Sequence, residues 1–241
     1  MRILALDSSG LVASVAIVED DNLIAEYIVN YKKTHSQTLL PMLDDIVQMT
    51  ETDLKSVDAI AVAAGPGSFT GLRIGSATAK GLGLALDKPI IGIPTVEGLA
   101  MNLYGIQALI CPLMDAKRNQ VYTGIYRFSG KKLEVVKEQL AVGIEEIIEA
   151  LNLIGKEVVF LGDGVPVYKS IIEEKISVPY SFAPAHVNKQ RAGAIAVRAL
   201  DYWEAGIYST AAEFEPVYLR LSQAERERQA KEKAAEQNNI G

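Results

Sequence analysis

The sequence predicts an α/β protein built from two duplicated lobes, each with the element order β-β-β-α-β-α. One observation is a run of three strand-like segments in the first thirty residues, which predicts an antiparallel meander. The same order starts again in the second half, where "ALICPLMD" ends in Asp115 as "RILALD" ends in Asp7. The turns "AAGPGS" and "DGVP" follow corresponding strands. Because internal repeats decide folds, we expect two similar lobes, residues 1–105 and 106–220, whose turns face one another across a cleft.

The first lobe begins with the strands "RILALD", "VASVAIV" and "LIAEYIV", which are separated by the turns "SSGL" and "EDDN". The segment "THSQTLLPMLDDIVQMTE" has Leu39 and Leu43 at helical spacing, and Pro41 should kink or restart the first turn of this helix. A strand at 57–63 then leads into the glycine-rich turn and a helix at 70–86. The strand "PIIGIP" and a short helix complete the lobe.

The second lobe repeats the meander with "ALICPLMD", "QVYTGIYRF" and "KLEVVKEQ". A short helix near 145–151, the strand "EVVFLG" and the turn "DGVP" follow. The tail 221–241 is polar and has only alanines where a core face would lie, so we expect it to be solvated or frayed.

Composition excludes several classes of protein. With 241 residues, 49% of them hydrophobic, the chain is long enough to bury real cores. A net charge of -6 argues against holding nucleic acid by bulk electrostatics, since neutralising phosphates needs a basic surface, so we expect any RNA contact to be local or through a partner. The single cysteine, Cys111, lies in an apolar segment and predicts a buried thiol. No signal peptide or membrane span is recognisable, and we expect a cytoplasmic protein.

The glycine-rich turn "AAGPGSFTGLRIG" lies where phosphate-binding loops lie, between a strand and a helix. It lacks the lysine of a Walker A loop, and Thr70 stands at the third glycine of a dinucleotide fingerprint. Gly65 and Gly67 permit positive φ, and Ser68 or Thr70 can cap the helix. The pattern leaves two interpretations open, an anion site and a tight structural turn.

The helix at 70–86 is apolar nearly all round, so it is either covered on both sides or presents a face that a partner covers. Gly71 and Gly75 would let another backbone approach closely, and packing inside the chain is the alternative explanation. The preceding helix also has a wide apolar arc, and the two helices together would make a dimer face. The predicted partner-facing residues are Leu39, Leu40, Leu43, Gly71, Arg73, Ile74, Gly75, Thr78 and Leu82.

The candidate catalytic or ligand-binding residues are polar side chains in turns. His35 and His186 have no neighbouring ligands, so we expect no metal site and assign both to helix caps or the surface. No serine or cysteine nucleophile pattern occurs. An aspartate at a strand end can hold magnesium through water or simply cap the turn. The positions expected at the cleft are Asp7, Ser8, Ser9, Gly65, Gly67, Ser68, Asp115, Gly162, Asp163 and Gly164.

The motifs "LALDSS", "GPGSFTGLRIG", "IPTVEGLA", "MDAKRNQVY" and "EPVYLR" together resemble the bacterial TsaB family, also called YeaZ, over roughly residues 1–220. The resemblance implies the actin-like ATPase fold (ASKHA, ribonuclease H-like). It also implies a role in making threonylcarbamoyladenosine next to the anticodon of tRNAs that read codons beginning with A. Where the family commonly has D-A-R-x-x-E-V-Y, this chain has Lys117 and Gln120, so no role is assigned to these two side chains.

The resemblance further implies a non-catalytic subunit that binds and activates its catalytic relative TsaD, together with the ATPase TsaE, and that forms a homodimer when alone. Contact with tRNA would be indirect, and no membrane is involved. We expect no cofactor for the chain by itself, and ATP or ADP with magnesium at most at the interface of the complex. The alternatives are an active ATP-dependent phosphotransferase, which would need a catalytic base, and a peptidase, which would need a nucleophile.

Overall fold

The computed structural model describes residues 1–31 and 34–220. The polar tail predicted for residues 221–241 lies outside the described residues. Within them, the chain forms two five-stranded sheets. None of the helices in this part of the chain is long and apolar enough to cross a membrane.

The first sheet has the strand order β3-β2-β1-β4-β5. Its strands are β1 (Arg2–Asp7), β2 (Ala13–Glu19), β3 (Asn22–Val29), β4 (Ala59–Gly65) and β5 (Ile90–Pro94). The first three pair antiparallel, as the predicted meander requires, whereas β4 and β5 run parallel to β1. Because β1 and β4 are parallel neighbours, the turns that follow Asp7 and Gly65 leave the sheet at the same edge.

The second sheet repeats this arrangement. Its strands are β6 (Leu109–Asp115), β7 (Gln120–Ser129), β8 (Lys132–Gly143), β9 (Val158–Leu161) and β10 (Tyr180–Phe182). Their order, β8-β7-β6-β9-β10, matches that of the first sheet strand for strand. Again the first three strands are antiparallel and the last two are parallel to the first. The duplicated ribonuclease H-like order is that of an actin-like ATPase fold, so the predicted fold class is confirmed.

The helices are α1 (His35–Met49), α2 (Phe69–Leu86), α3 (Thr95–Met101), α4 (Ile144–Ile154), α5 (Val165–Lys175) and α6 (Ala192–Glu204). Ser68 caps α2, its Oγ accepting a hydrogen bond from the Gly71 N–H at 3.3 Å. Pro41 lies inside α1, which continues unbroken through it. Both α1 and α2 cover the face of the first sheet that carries Leu4 and Leu6.

The opposite face of the first sheet, which carries Ile3 and Ala5, is covered by α6. The first lobe also holds the start of this helix, because Ser14 Oγ accepts from the Ala192 N–H at 2.9 Å and Glu26 Oε1 accepts from the Gly193 N–H at 2.9 Å. This helix belongs in sequence to the range 106–220 of the second lobe, but it packs on the first sheet. The chain therefore returns to the first lobe after completing the second sheet.

Helix α3 joins the two lobes at their base. Its residues Val96 and Leu99 pack with Ile110 of β6 and Leu161 of β9 in one buried cluster. A buried ion pair also ties α3 to α6, since Arg198 Nε lies 2.7 Å from Glu97 Oε2. Burying these apolar side chains from both lobes together fixes the base of the cleft.

Candidate functional site

The candidate site is a cleft of about 550 Å³ between the carboxyl ends of the first strands of the two lobes. The first lobe lines it with Ser9, Gly67 and Ser68, and the second lobe lines it with Asp115 and Asp163. The other predicted cleft positions do not line it; they are Asp7, Ser8, Gly65, Gly162 and Gly164. The structure thus brings the strand-end turns of both lobes together, although each turn is built differently.

The first-lobe turn holds Asp7 in a buried position, only 1% exposed. Its Oδ1 accepts hydrogen bonds from the Ser9 N–H at 2.9 Å and from Ser9 Oγ at 2.6 Å. Burial raises the pKa of Asp7 to about 6, and the Ser9 hydrogen bonds and the nearby His35 offset this only in part. In this structure Asp7 therefore forms an Asx turn, in which its carboxylate accepts hydrogen bonds from the residue two positions later.

The glycine-rich turn is packed directly against the Asp7 turn. The Ser68 N–H donates to the Ser9 carbonyl oxygen at 2.7 Å. A side chain at Gly67 would put a Cβ 2.3 Å from the same oxygen, so glycine is needed for this close approach. One of the amides that begin α2 is thus occupied by the chain's own carbonyl.

Gly71 and Gly75 of α2 face inward, toward Ser8. A Cβ at Gly71 would lie 2.0 Å from the Ser8 carbonyl oxygen, and a Cβ at Gly75 would lie 2.5 Å from Ser8 Oγ. Ser8 Oγ in turn donates to the Gly71 carbonyl at 2.9 Å. Of the two explanations left open above, packing inside the chain is the one observed. The prediction that these glycines face a partner is wrong, because their close approach is to the β1–β2 turn.

The remaining predicted partner-facing residues divide by burial. Leu39 and Leu43 are 1% and 4% exposed and lie in the core under the first sheet, so their placement on an outer face is also wrong. Leu40 is 54% exposed, and Arg73 lies over the Phe69 ring at 3.9 Å from its centroid. The other three predicted residues of α2, all half-buried, are Ile74, Thr78 and Leu82.

The second-lobe turn is more open and is held by charge. Lys117 Nζ lies 2.5 Å from Asp115 Oδ2, and the Lys117 N–H donates to Asp115 Oδ1 at 2.8 Å. Burial acts to raise the pKa of Asp115, but the hydrogen bonds and charge of Lys117 outweigh it and hold the pKa below its ordinary value. Asp163 Oδ1 accepts from the Asp115 N–H at 3.2 Å, and burial raises the pKa of Asp163.

The "GDG" turn at 162–164 packs closely against strand β6 of the second lobe. Gly162 has a φ of +106°, and a Cβ there would lie 2.2 Å from the Leu113 carbonyl oxygen. The Gly164 N–H donates to that same carbonyl at 2.8 Å. Both glycines are thus needed for the close packing of this turn on β6.

Two residues near the cleft have roles that the sequence pattern did not predict. His35 lines the cleft, and its Nε2 lies 2.8 Å from the Gly10 carbonyl oxygen, besides starting α1 as expected. Tyr168 on α5 donates to Asp115 Oδ1 at 3.2 Å. The predicted element order puts a helix after the "DGVP" turn, and Tyr168, one turn into that helix, could have been placed near this edge from it.

The duplicated lobes and the cleft between their strand-end turns define an actin-like ATPase-fold protein. The family model described as "TsaD: tRNA N6-adenosine threonylcarbamoyltransferase" matches residues 22–228. The protein named "tRNA threonylcarbamoyladenosine biosynthesis protein TsaB" from Bacillus subtilis is 34% identical over 225 residues, which cover 93% of this chain and 96% of that relative. Its namesake from Escherichia coli is 34% identical over 167 residues, 68% of this chain and 72% of the relative. The chain belongs to the TsaB family, as the motifs indicated.

Solved structures agree with this assignment. YeaZ from Pseudomonas aeruginosa superposes with a TM-score of 0.79 at 27% identity, covering 90% of this chain and 99% of that one. A second structure, described as similar to peptidase YEAZ from the same organism, gives a TM-score of 0.79 at 28% identity over 91% of this chain and 99% of its own. The likeness extends over both lobes.

Proposed function

We propose that this chain serves the biosynthesis of threonylcarbamoyladenosine, next to the anticodon of tRNAs that read codons beginning with A. The observation that carries the proposal is the 34% identity to a TsaB protein over 93% of the chain. The relatives' name describes a role in tRNA modification, and similarity over nearly the whole length favours the same role here. A net charge of -6 favours contact with tRNA through a partner rather than by this chain itself.

Within that pathway we propose a non-catalytic subunit. The geometry of the first-lobe turn supports this, because the Ser9 carbonyl takes the Ser68 N–H and the buried Asp7 is bonded to its own turn. A phosphotransferase would need amides at this turn that are free to bind phosphate. Any ATP or ADP with magnesium would then bind only at the interface of a complex. Steady ATP or peptide hydrolysis by the purified chain, lost in Asp7→Asn or in a serine variant of the cleft, would overturn the non-catalytic role.

The proposed partners are TsaD, with TsaE completing the assembly, and a second copy of this chain when TsaD is absent. The family model that matches residues 22–228 supports a paired arrangement, since this chain and TsaD then share one fold and can pack as similar subunits. The proposed contact face is the outer surface of α1 and α2. Leu40 at 54% exposure and Met49 at 87% give this surface apolar area that is open in the monomer.

A reconstitution tests the function. Purified TsaD, TsaE and the enzyme that supplies the activated threonylcarbamoyl group are incubated with unmodified tRNA, with and without this chain, and the modified nucleoside is measured by mass spectrometry. We expect product only when the chain is present. Equal product without it would contradict the proposed function.

A pair of leucine variants tests the contact face. Leu40→Arg places a charge on the outer surface of α1, whereas Leu153→Arg does the same on α4, where the leucine is 89% exposed. An unpaired charge in an interface costs several kcal/mol, about a hundredfold or more in affinity. We expect Leu40→Arg to abolish co-purification with TsaD while Leu153→Arg leaves it unchanged. Equal binding by both variants would remove the face from the proposal without affecting the function.

A further inference from the structure

The segment 207–220, called the strap here, crosses the first lobe after α6. Its Ser209 exchanges backbone hydrogen bonds with Ile90 of β5 at 2.8 and 3.0 Å. Lys80 Nζ on α2 donates to the carbonyl oxygens of Ala212 at 3.1 Å and Phe214 at 2.9 Å. Phe214 is 5% exposed and belongs to the core of the first lobe. The strap is therefore firmly anchored to this lobe.

The glycine-rich turn makes room for the strap. The Val217 N–H donates to the Ala64 carbonyl at 2.7 Å, just before the turn. Gly65 has a φ of +115°, and a Cβ there would lie 2.3 Å from the Val217 carbonyl oxygen. On the next strand, a Cβ at Gly92 would lie 2.7 Å from Phe214 Cε2. Both glycines thus accommodate the strap, which gives the first glycine of the turn a role other than holding an anion.

Beyond this anchor the strap reaches the second lobe. The Tyr218 ring packs on Phe69 at the start of α2, with centroids 4.9 Å apart. Arg220 Nη1 then donates to the Ala116 carbonyl oxygen at 2.6 Å. Ala116 follows Asp115 and lines the cleft. The strap thus runs from the turn of one lobe to the turn of the other.

We infer that the strap is a latch that holds the two lobes at one angle, and that Arg220 is its contact with the second lobe. The lobes are joined at their base through α3, so opening the cleft must separate Ala116 from the anchored strap. A charged guanidinium bonded to a carbonyl contributes more than a neutral pair. Losing it should raise the ratio of open to closed molecules about ten- to a hundredfold. The inference concerns the chain alone and does not depend on the proposed partners.

Paired labels across the cleft test the latch. Leu11 and Val167 line opposite sides of the cleft and are 73% and 57% exposed, so cysteines there accept nitroxide labels. Burial raises the pKa of the native Cys111 thiol to about 12, so it stays unlabelled at neutral pH. Dipolar electron paramagnetic resonance then gives the distribution of label distances. An open fraction of about 1% in the parent would become about 10 to 50% in Arg220→Ala.

Arg127→Ala is the matched control, because Arg127 is a half-exposed arginine on β7 that pairs with Glu134 instead. It should leave the distance distribution unchanged. Tyr218→Ala removes a second contact of the strap and should also increase the fraction of molecules with the longer distance between the labels. Cooperative urea unfolding with an unchanged m-value would show that each variant stays folded. A distribution unaltered by Arg220→Ala and Tyr218→Ala, or one already broad in the parent, would overturn the latch.

Discussion

Replacing Asp7 with asparagine should stabilise the protein more at neutral pH than at acidic pH. Both hydrogen bonds from Ser9 end on Asp7 Oδ1, and asparagine keeps an acceptor at that atom. The substitution therefore removes the ionisable group while the turn keeps its hydrogen bonds. Any fixed cost of burying the amide nitrogen is the same at every pH, so the pH dependence isolates the ionisation.

The sign follows from the raised pKa of Asp7, about 6 in the folded chain against an ordinary value of 3.8. The folded state binds the proton more tightly, so the parent loses stability as the pH rises between these two values. The full penalty is ~3 kcal/mol above pH 7, from ~1.4 kcal/mol per unit of pKa shift. At pH 5 about half of it is present. The advantage of Asp7→Asn should therefore grow by roughly 1–2 kcal/mol between pH 5 and pH 7.5.

Urea unfolding of parent and variant at pH 5 and pH 7.5 measures this difference directly. Asp115→Asn is the matched control, because the pKa of Asp115 is lowered and its sign is opposite. That variant should lose the same stability at pH 5 and pH 7.5, because both lie above the ordinary pKa of 3.8, and its loss should shrink only as the pH falls further, through the folded pKa. If Asp7→Asn raises the free energy of unfolding equally at both pH values, the ionised carboxylate of Asp7 is not destabilised by burial and the reasoning is refuted.

Two pairs of glycine substitutions test the packing of the glycine-rich segment. Gly71→Ala should cost about 1–3 kcal/mol by overpacking against Ser8, whereas Gly81→Ala, with no atom within 4 Å, should gain up to about 1 kcal/mol. Thermal melts would show this as opposite shifts of about 2–4 °C per kcal/mol, and similar shifts would contradict the inward position of Gly71. Gly65→Ala should destabilise more than Gly105→Ala, because both have positive φ but only Gly65 also meets the strap. Equal losses of unfolding free energy in urea would show that Val217 can move away from residue 65 without destabilising the protein.

The duplicated architecture was predictable because the central strands of each lobe are continuous apolar runs. Strands such as β1 and β4 are buried on both faces, and residues of that kind stand out in the sequence between turn residues. The matching ends at Asp7 and Asp115 located both turns of the cleft. Long-range order was not needed for these predictions, since hydrophobic pattern and turn residues act locally.

The contacts of the glycines were not predictable from the same pattern. Helical spacing shows that Gly71 and Gly75 share a side of α2, but it does not say which backbone approaches that side. The approaching group is Ser8, more than sixty residues earlier in the chain. In the same way, nothing local to "EPVYLR" indicates that Val217 lies over Gly65. Small residues in the sequence indicate that some group approaches closely at those positions. Which group approaches is decided by tertiary packing, which the local sequence does not show.

The two strand-end aspartates show how a duplicated fold can treat one position in two ways. Asp7 is covered by the glycine-rich turn, which comes close enough for the Ser68 N–H to bond the Ser9 carbonyl. The Asp115 side chain is also largely buried, at 11% exposure, but it is held by Lys117 and by the Tyr168 hydroxyl. A phosphate in the first lobe would have to displace the Ser9 carbonyl oxygen from the Ser68 N–H. The strand order of the actin-like fold is thus intact, while the first-lobe half of the cleft packs against α2 and the strap. The same packing holds α2 in place, and the outer surface of α2 is part of the proposed partner face.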